Sequence, residues 1–331
     1  MKKITIYDVA KKSGVSLATV SRVINGSESV KEDTKQKVEE AIAILGYRPN
    51  SIAQGLASQK TTTIGLIIPE ASFTYTGQVL NGILDVAKIY NYNIILHTIT
   101  DGISTVEEII DMVIKSRVDG VIIYSDKIES EDMEALNKYS IPVVTIGNRM
   151  SSDQVCSVYV DIEKAIFELS SKYLIDGIDD IAILEDRKNT FTTKQMIDGA
   201  TKAFENNGKK FTQFIQIPRE YRSSYKFMKE YLKDHKHGLL IANRDSQAMA
   251  IINAAAENNI RIPEDMQVVC IIDTKYIAMS RPAITSFSIP SYDLGAVSMR
   301  LMTKMLKGEV QDDKSKCLSY LYTPRQTTIN N

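Results

Sequence analysis

The stretch Ser16–Asn25, SLATVSRVIN, constrains the chain more than any other. Read as a helix, it gathers Val20, Val23 and Ile24 into one inward stripe and leaves Leu17, Ala18, Ser21, Arg22 and Asn25 facing outward. One face packs and the other is free to read something. Ahead of it, Ile6–Ser13 repeats a short helical pattern, and Gly14-Val15 forms the tight joint of a helix-turn-helix. Ser16 is the natural N-cap of the second helix, its hydroxyl accepting from an otherwise orphan backbone N–H. After Gly26-Ser27-Glu28-Ser29, Lys31–Leu45 reads as a third helix with Val38, Ile42 and Leu45 inward and Gly46 in the left-handed capping position. Pro49-Asn50 then opens a hinge helix over Asn50–Ala57, too short, with Gly55 inside it, to stand alone.

Bulk composition is that of an ordinary globular chain: 331 residues, 44% hydrophobic and 24% charged, enough for two or three domains with sizeable cores. The charge is unevenly spread. Residues 1–60 hold ten Lys or Arg against six Asp or Glu, a net of +4, whereas the whole chain sums to -1. A cationic head on an acidic body suits a protein that meets phosphates at one end only.

From Thr63 apolar strands alternate with amphipathic helices. Strands read at Ile64–Ile68, Ile94–Leu96, Val118–Tyr124 and Val143–Ile146, with helices over Gly77–Tyr90, Val106–Ser116 and Met133–Tyr139. The rhythm then restarts: helices over Lys164–Asp176, Lys194–Asn207, Tyr221–Lys233 and Ser246–Asn258 accompany strands at Ile181–Leu184, Phe214–Ile217, Gly238–Ala242 and Val268–Ile272. Helix Tyr292–Leu306 and one extended piece near Leu318–Thr323 follow. Near-continuous apolar strands between helices indicate parallel sheets covered on both faces, and two successive α/β units predict two lobes around a cleft.

Cys156, Cys270 and Cys317 lie far apart with neither disulfide nor metal-ligand spacing, and are expected to be buried thiols in a reducing compartment. Lys2-Lys3 has no long apolar segment behind it, and no run approaches the roughly 18 apolar residues of a membrane span, so a cytoplasmic location is expected. His97, His235 and His237 form no metal pair, and neither a Gly-rich phosphate loop nor a nucleophile elbow is present. No catalytic residue and no metal site is expected, and the chain does not read as an enzyme.

TIYDVAKKSGVSLATVSRVING, followed by GYRPNSIAQGLASQKTTTIGLIIP, resembles the DNA-binding head, hinge and first core strand of the LacI/GalR family of bacterial regulators. The resemblance extends more weakly through the rest of the chain. It implies an all-α helix-turn-helix domain with a hinge helix, followed by a two-lobed α/β core like that of periplasmic binding proteins. The implied division is residues 1–48 for the head, 49–60 for the hinge, 61–160 with about 290–317 for one core subdomain, and 161–289 with about 318–331 for the other. The chain would cross between the lobes near Val160, Ile289 and Leu318.

By position, the family's contacts fall on Leu17, Ala18 and Arg22 for bases, with Arg22 suited to bidentate pairing with guanine. Tyr7 and Thr19 fall on phosphates. Ser16, Asn25, Asn50, Ala53 and Gln54 are also placed at the DNA. Leu56 matches an intercalating leucine that, in two copies from a homodimer, wedges into a central base step and kinks the duplex. Gln54 and Leu17 stand where close relatives carry Arg and Met, which leaves the finer operator preference open. Ser21 reads equally as a contact or as solvated surface.

Two kinds of controller are implied. The family's small-molecule cleft maps to Phe73, Tyr75, Thr193, Asp245 and Asp273, which makes a sugar or sugar-phosphate effector one option, with no other cofactor. Thr193 stands where sugar-binding members often carry Arg, and Asp245 suits the N-terminal end of the helix Ser246–Asn258 equally well. The other controller is a protein. Tyr292–Lys304, YDLGAVSMRLMTK, resembles the helix by which catabolite-control members dock seryl-phosphorylated HPr. Tyr292 and Asp293 would open that helix, Arg300 would offer a planar fork to the phosphate, and Lys304 would stand on the same face as a second cation. As bare residues, Arg300 and Lys304 read more simply as a solvated face. The resemblance therefore implies a homodimeric repressor of carbon catabolite repression that binds a pseudo-palindromic operator and is activated by seryl-phosphorylated HPr; a sugar-responsive repressor of a local carbohydrate operon is the alternative.

Overall fold

The structure, a computed structural model, describes residues 4–24, 27, 29–47, 61–68, 74–98, 106–125, 128, 133–138, 141–185, 190–218, 220–309 and 312–329. The chain divides into two compact units, Met1–Thr62 and Thr63–Asn331.

In the first unit, helices α1 (Ile6–Ser13), α2 (Leu17–Ile24) and α3 (Glu32–Leu45) close around Val9, Val20, Val38 and Ala41, none more than 3% exposed. Asp8 fixes the start of α1, its Oδ2 accepting from both the N–H and the hydroxyl of Thr5 at 2.8 Å. Gly14, at φ 71, turns the chain left-handed and donates its N–H to the Ala10 carbonyl. Gly46, at φ 60, ends α3 in the same way, where the sequence placed the cap. Ala41 is more deeply buried than Ile42 and Leu45, because a small residue lets the crossing helices approach. The hinge helix expected over Asn50–Ala57 lies outside the described residues.

The second unit opens with β1 (Thr63–Ile68), α4 (Thr74–Ile89), β2 (Asn93–Thr98), α5 (Val106–Lys115), β3 (Gly120–Tyr124), α6 (Met133–Lys138), β4 (Val143–Ile146) and β5 (Val155–Val160). Then follow α7 (Ile162–Ile175), β6 (Ile181–Glu185), α8 (Phe191–Asn206), β7 (Phe214–Gln216), α9 (Tyr221–Asp234), β8 (Leu239–Ala242), α10 (Asp245–Glu257), β9 (Gln267–Cys270), α11 (Lys275–Met279) and β10 (Thr285–Ser288). Last come α12 (Ser291–Leu306), β11 (Ser315–Leu318) and β12 (Leu321–Thr323).

The strands form two six-stranded sheets, β11-β5-β4-β3-β1-β2 and β12-β10-β9-β8-β6-β7. The first is parallel throughout, and the second is parallel except where β12 pairs antiparallel with β10. Apolar clusters cover both faces of each sheet, as near-continuous apolar strands require. After β10 the chain returns to the first sheet, where α12 packs on α4.

The structure also departs from the sequence reading. β5 escapes an apolar-run criterion because Ser157 interrupts it, and β10 escapes because Thr285, Ser286 and Ser288 read as loop. The extended piece near Leu318–Thr323 is not one strand: β11 joins the first sheet and β12 the second. Cys156 and Cys270 are buried, whereas Cys317 is exposed because β11 is an edge strand.

Candidate nucleic-acid interface and partner helix

Residues before α2 set its outer face. Ser16 caps the helix, accepting from the Thr19 N–H at 3.2 Å, and its hydroxyl lies 2.9 Å from that of Thr19. Val20 is driven into the core, and Leu17, Ala18 and Arg22 are left exposed on α2. Tyr7 projects from α1 and is 69% exposed. The arrangement offers a helix N-terminus, an apolar contact, a guanidinium and a phenol, with the polar backbone already capped. Asn25, Asn50, Ala53, Gln54 and Leu56 lie outside the described residues.

On the second unit, Tyr292, Asp293, Arg300 and Lys304 all stand exposed on α12. Tyr292 is anchored by its hydroxyl, which donates to Asp85 of α4 at 3.0 Å. That hydrogen bond, with burial and the Asp85 charge, raises the phenol above its usual range. Asp293 sits in the first turn and Lys304 in the last, each matched in sign to the helix dipole. Arg300 and Lys304 form no ion pair among the described residues. Sequence reasoning missed Asp85, because nothing local in α4 signals a partner two hundred residues away.

The cleft candidates are differently placed. Phe73 lies outside the described residues, and Tyr75 is in the first turn of α4 with its side chain outside them. Thr193, only 1% exposed, is tied to the start of α8: its N–H donates to Thr190 Oγ1 at 3.2 Å, and the Thr190 hydroxyl donates to its own at 2.7 Å. Asp245 is the first residue of α10 rather than its N-cap, which is Arg244. Its Oδ1 accepts from the Ser246 N–H at 2.8 Å and its Oδ2 from the Thr274 hydroxyl at 2.9 Å. Asp273 accepts from Arg325 at 2.7 Å. Thr274, next in sequence to Asp273, thus brings both carboxylates to one corner of the second sheet, each with a partner inside the protein. Arg325 had no local signal in the sequence. Among the described residues no group of His, Cys, Asp and Glu could hold a metal ion, and no helix is long and apolar enough to cross a membrane.

A helix-turn-helix head with Leu17, Ala18 and Arg22 exposed precedes a two-sheet α/β core. Comparison with known proteins assigns the family: residues 5–50 match bacterial regulatory proteins of the lacI family, and residues 172–328 match the periplasmic binding protein-like domain. The chain is 35% identical over 328 residues to the HTH-type transcriptional regulator pepR1 of Lactobacillus delbrueckii subsp. lactis, covering 99% of this chain and 98% of that protein. It is 33% identical over 327 residues to catabolite control protein A of Staphylococcus aureus, covering 98% and 99%. Its fold matches a crystal structure of the lac repressor dimer bound to operator and the anti-inducer ONPF, at TM-score 0.88 and 23% identity, over 99% of this chain and 100% of that one. The chain belongs to the LacI family of bacterial transcription regulators, and it is related to catabolite control protein A over its full length.

Proposed function

We propose that this chain is a homodimeric, cytoplasmic regulator of carbon catabolite control, which binds a pseudo-palindromic operator and is switched toward DNA by seryl-phosphorylated HPr. The observation that carries the reading is the exposed Arg300–Lys304 pair on α12. A guanidinium fork and an ammonium one helical turn apart suit a single phosphate, and a compact cation pair with no ion-pair partner among the described residues, on an acidic body, suits an anionic partner. Tyr292 and Asp293 flank the same surface.

At the other end, Leu17, Ala18 and Arg22 would read base edges while Tyr7, Ser16 and Thr19 hold phosphates, joined by Asn25, Asn50, Ala53 and Gln54. Leu56 from each subunit would wedge into the central step. A dimer is supported by exposed apolar side chains on α4 and on the edge strand β2, where Leu84 is 42% and Leu96 44% exposed. The division into head 1–48, hinge 49–60 and two discontinuous core subdomains belongs to the same proposal. The docked partner favours the subunit arrangement in which the paired hinges fold on DNA; shifting occupancy from 1:99 to 99:1 would need about 5.5 kcal/mol of differential binding, and a several-fold gain much less.

A sugar or sugar-phosphate effector in the cleft is the second reading. It ranks lower because Asp245 and Asp273 already have internal partners. Calorimetric titration of the full-length protein with HPr, before and after seryl phosphorylation, tests the first reading. Binding should be confined to the phosphorylated form and lost in Arg300→Ala; equal binding of both forms would refute it.

A further inference from the structure

The exposed ridge of α12 continues past the two cations already assigned. Asp293, Val297, Arg300, Lys304 and Lys307 follow one another at spacings of four, three, four and three residues, which keeps them on a single face along the helix. Val297 is half-buried and the other four are exposed. Lys307 is the C-cap residue. Its N–H donates to the carbonyls of Thr303 and Lys304, and Gly308 turns left-handed immediately after it at φ 72, so its backbone is held at the end of the ridge. The side chain is held as well: its ammonium lies 5.2 Å from the centroid of the Tyr90 ring, just beyond α4, and Tyr90 is itself 41% exposed.

We infer that Lys307, seated over the Tyr90 ring, is a third cation of the docking ridge and receives an acidic side chain of the phosphorylated partner, beyond its phosphate. This rests on the docking reading of α12 above. The ridge is polarised. An acid, Asp293, stands at its start, an apolar contact follows, and three cations occupy its last two turns. The first two cations match one dianionic phosphate, which leaves the third for a separate acid. From Arg300 to Lys307 the helix rises about 10 Å, so the partner's acid lies within about that distance of its phosphoserine. A basic side chain of the partner would meet Asp293, and the opposed signs at the two ends admit the partner in one direction only. Tyr90 makes this third contact specific. A lysine on an open helix end samples many rotamers, whereas one stacked on a ring has already given up much of that freedom before binding.

The test is a titration of full-length protein with seryl-phosphorylated HPr at low and moderate salt, comparing wild type with Lys307→Met, Lys307→Arg, Tyr90→Leu and Arg300→Ala, with each variant's fold checked by circular dichroism. Lys307→Met should weaken binding about threefold at low salt and flatten its salt dependence. Lys307→Arg should restore both, and Tyr90→Leu should give a smaller loss than Lys307→Met. If Arg300→Ala abolishes binding while Lys307→Met leaves affinity and salt slope unchanged, the third-cation inference is wrong and the docking reading survives. If Arg300→Ala also binds like wild type, the docking reading itself fails and takes this inference with it.

Discussion

Gly82 and Gly295 meet across the crossing of α4 and α12 with no room for a side chain on either. A Cβ on Gly82 would lie 2.1 Å from the Tyr292 carbonyl oxygen, and one on Gly295 would lie 2.0 Å from that of Val79. Helix α12 therefore rests on α4 backbone against backbone.

That contact predicts an unusual sign for a helix substitution. Gly→Ala inside a helix ordinarily stabilises by roughly 0.5–1 kcal/mol, and Gly77→Ala, in the same helix with nothing within 4 Å of its Cβ, should do so. Gly82→Ala must force the helices apart, and should destabilise the core by about 1–3 kcal/mol. Urea unfolding of both variants separates the two outcomes. A stabilised Gly82→Ala protein would show that the crossing is looser than described.

In the head, specificity and affinity should come apart by residue. Arg22→Ala should weaken operator binding at particular base pairs, by about 1–3 kcal/mol on the preferred operator, and relax discrimination there. Tyr7→Phe should weaken binding nearly equally on every sequence, as loss of a phosphate contact does. Leu56→Ala should flatten the preference for an easily deformed central step. Binding measured on a panel of single-base operator variants checks all three; identical profiles for Arg22→Ala and Leu56→Ala would refute the division of roles.

Ser16→Ala should destabilise the head by about 1 kcal/mol, because the Thr19 N–H loses its side-chain acceptor. Amide exchange at residues 17–20 should rise accordingly. Unchanged protection there would mean that Ser16 serves DNA contact alone.

Tyr173 makes the folded core sensitive to alkali. Its hydroxyl donates to Gln267 Oε1 at 2.8 Å, and burial pushes the phenol well above the usual value near 10. A pKa raised on folding gives stability that is complete below the unfolded value and is lost as pH climbs from about 10 toward the folded one. Tyr173→Phe should remove that part of the alkaline loss. At neutral pH it should cost only about 0.5–1.5 kcal/mol, since Gln267 Oε1 still accepts from the Ile329 N–H at 2.9 Å. Denaturation midpoints at several pH values between neutrality and the alkaline limit check both statements.

Legibility in the sequence followed locality. The three head helices and Gly46 were readable because their periods and caps lie within a few residues of one another, β8 because its apolar run is uninterrupted, and β1 and β4 because a single small or hydroxyl residue, Gly65 or Thr145, breaks an otherwise apolar run. β5 and β10 were not, since Ser157 and Thr285 face partners brought in from Ser315, Thr327 and Thr328 far along the chain. The same applies at the candidate sites. Arg22 stood out on a helix face and Arg300 was reached only through the family resemblance, whereas Arg325 meeting Asp273, Asp85 meeting Tyr292 and Tyr90 beneath Lys307 exist only once the sheets and helices have assembled.

Under the proposed function, a phosphoprotein docked on α12 controls the head's engagement with DNA. Operator-binding curves for the full-length protein, recorded with and without seryl-phosphorylated HPr, test it most directly. Binding should become several-fold tighter with the phosphorylated partner and stay unchanged with the unphosphorylated form; coincident curves with and without the phosphorylated partner would contradict control through α12.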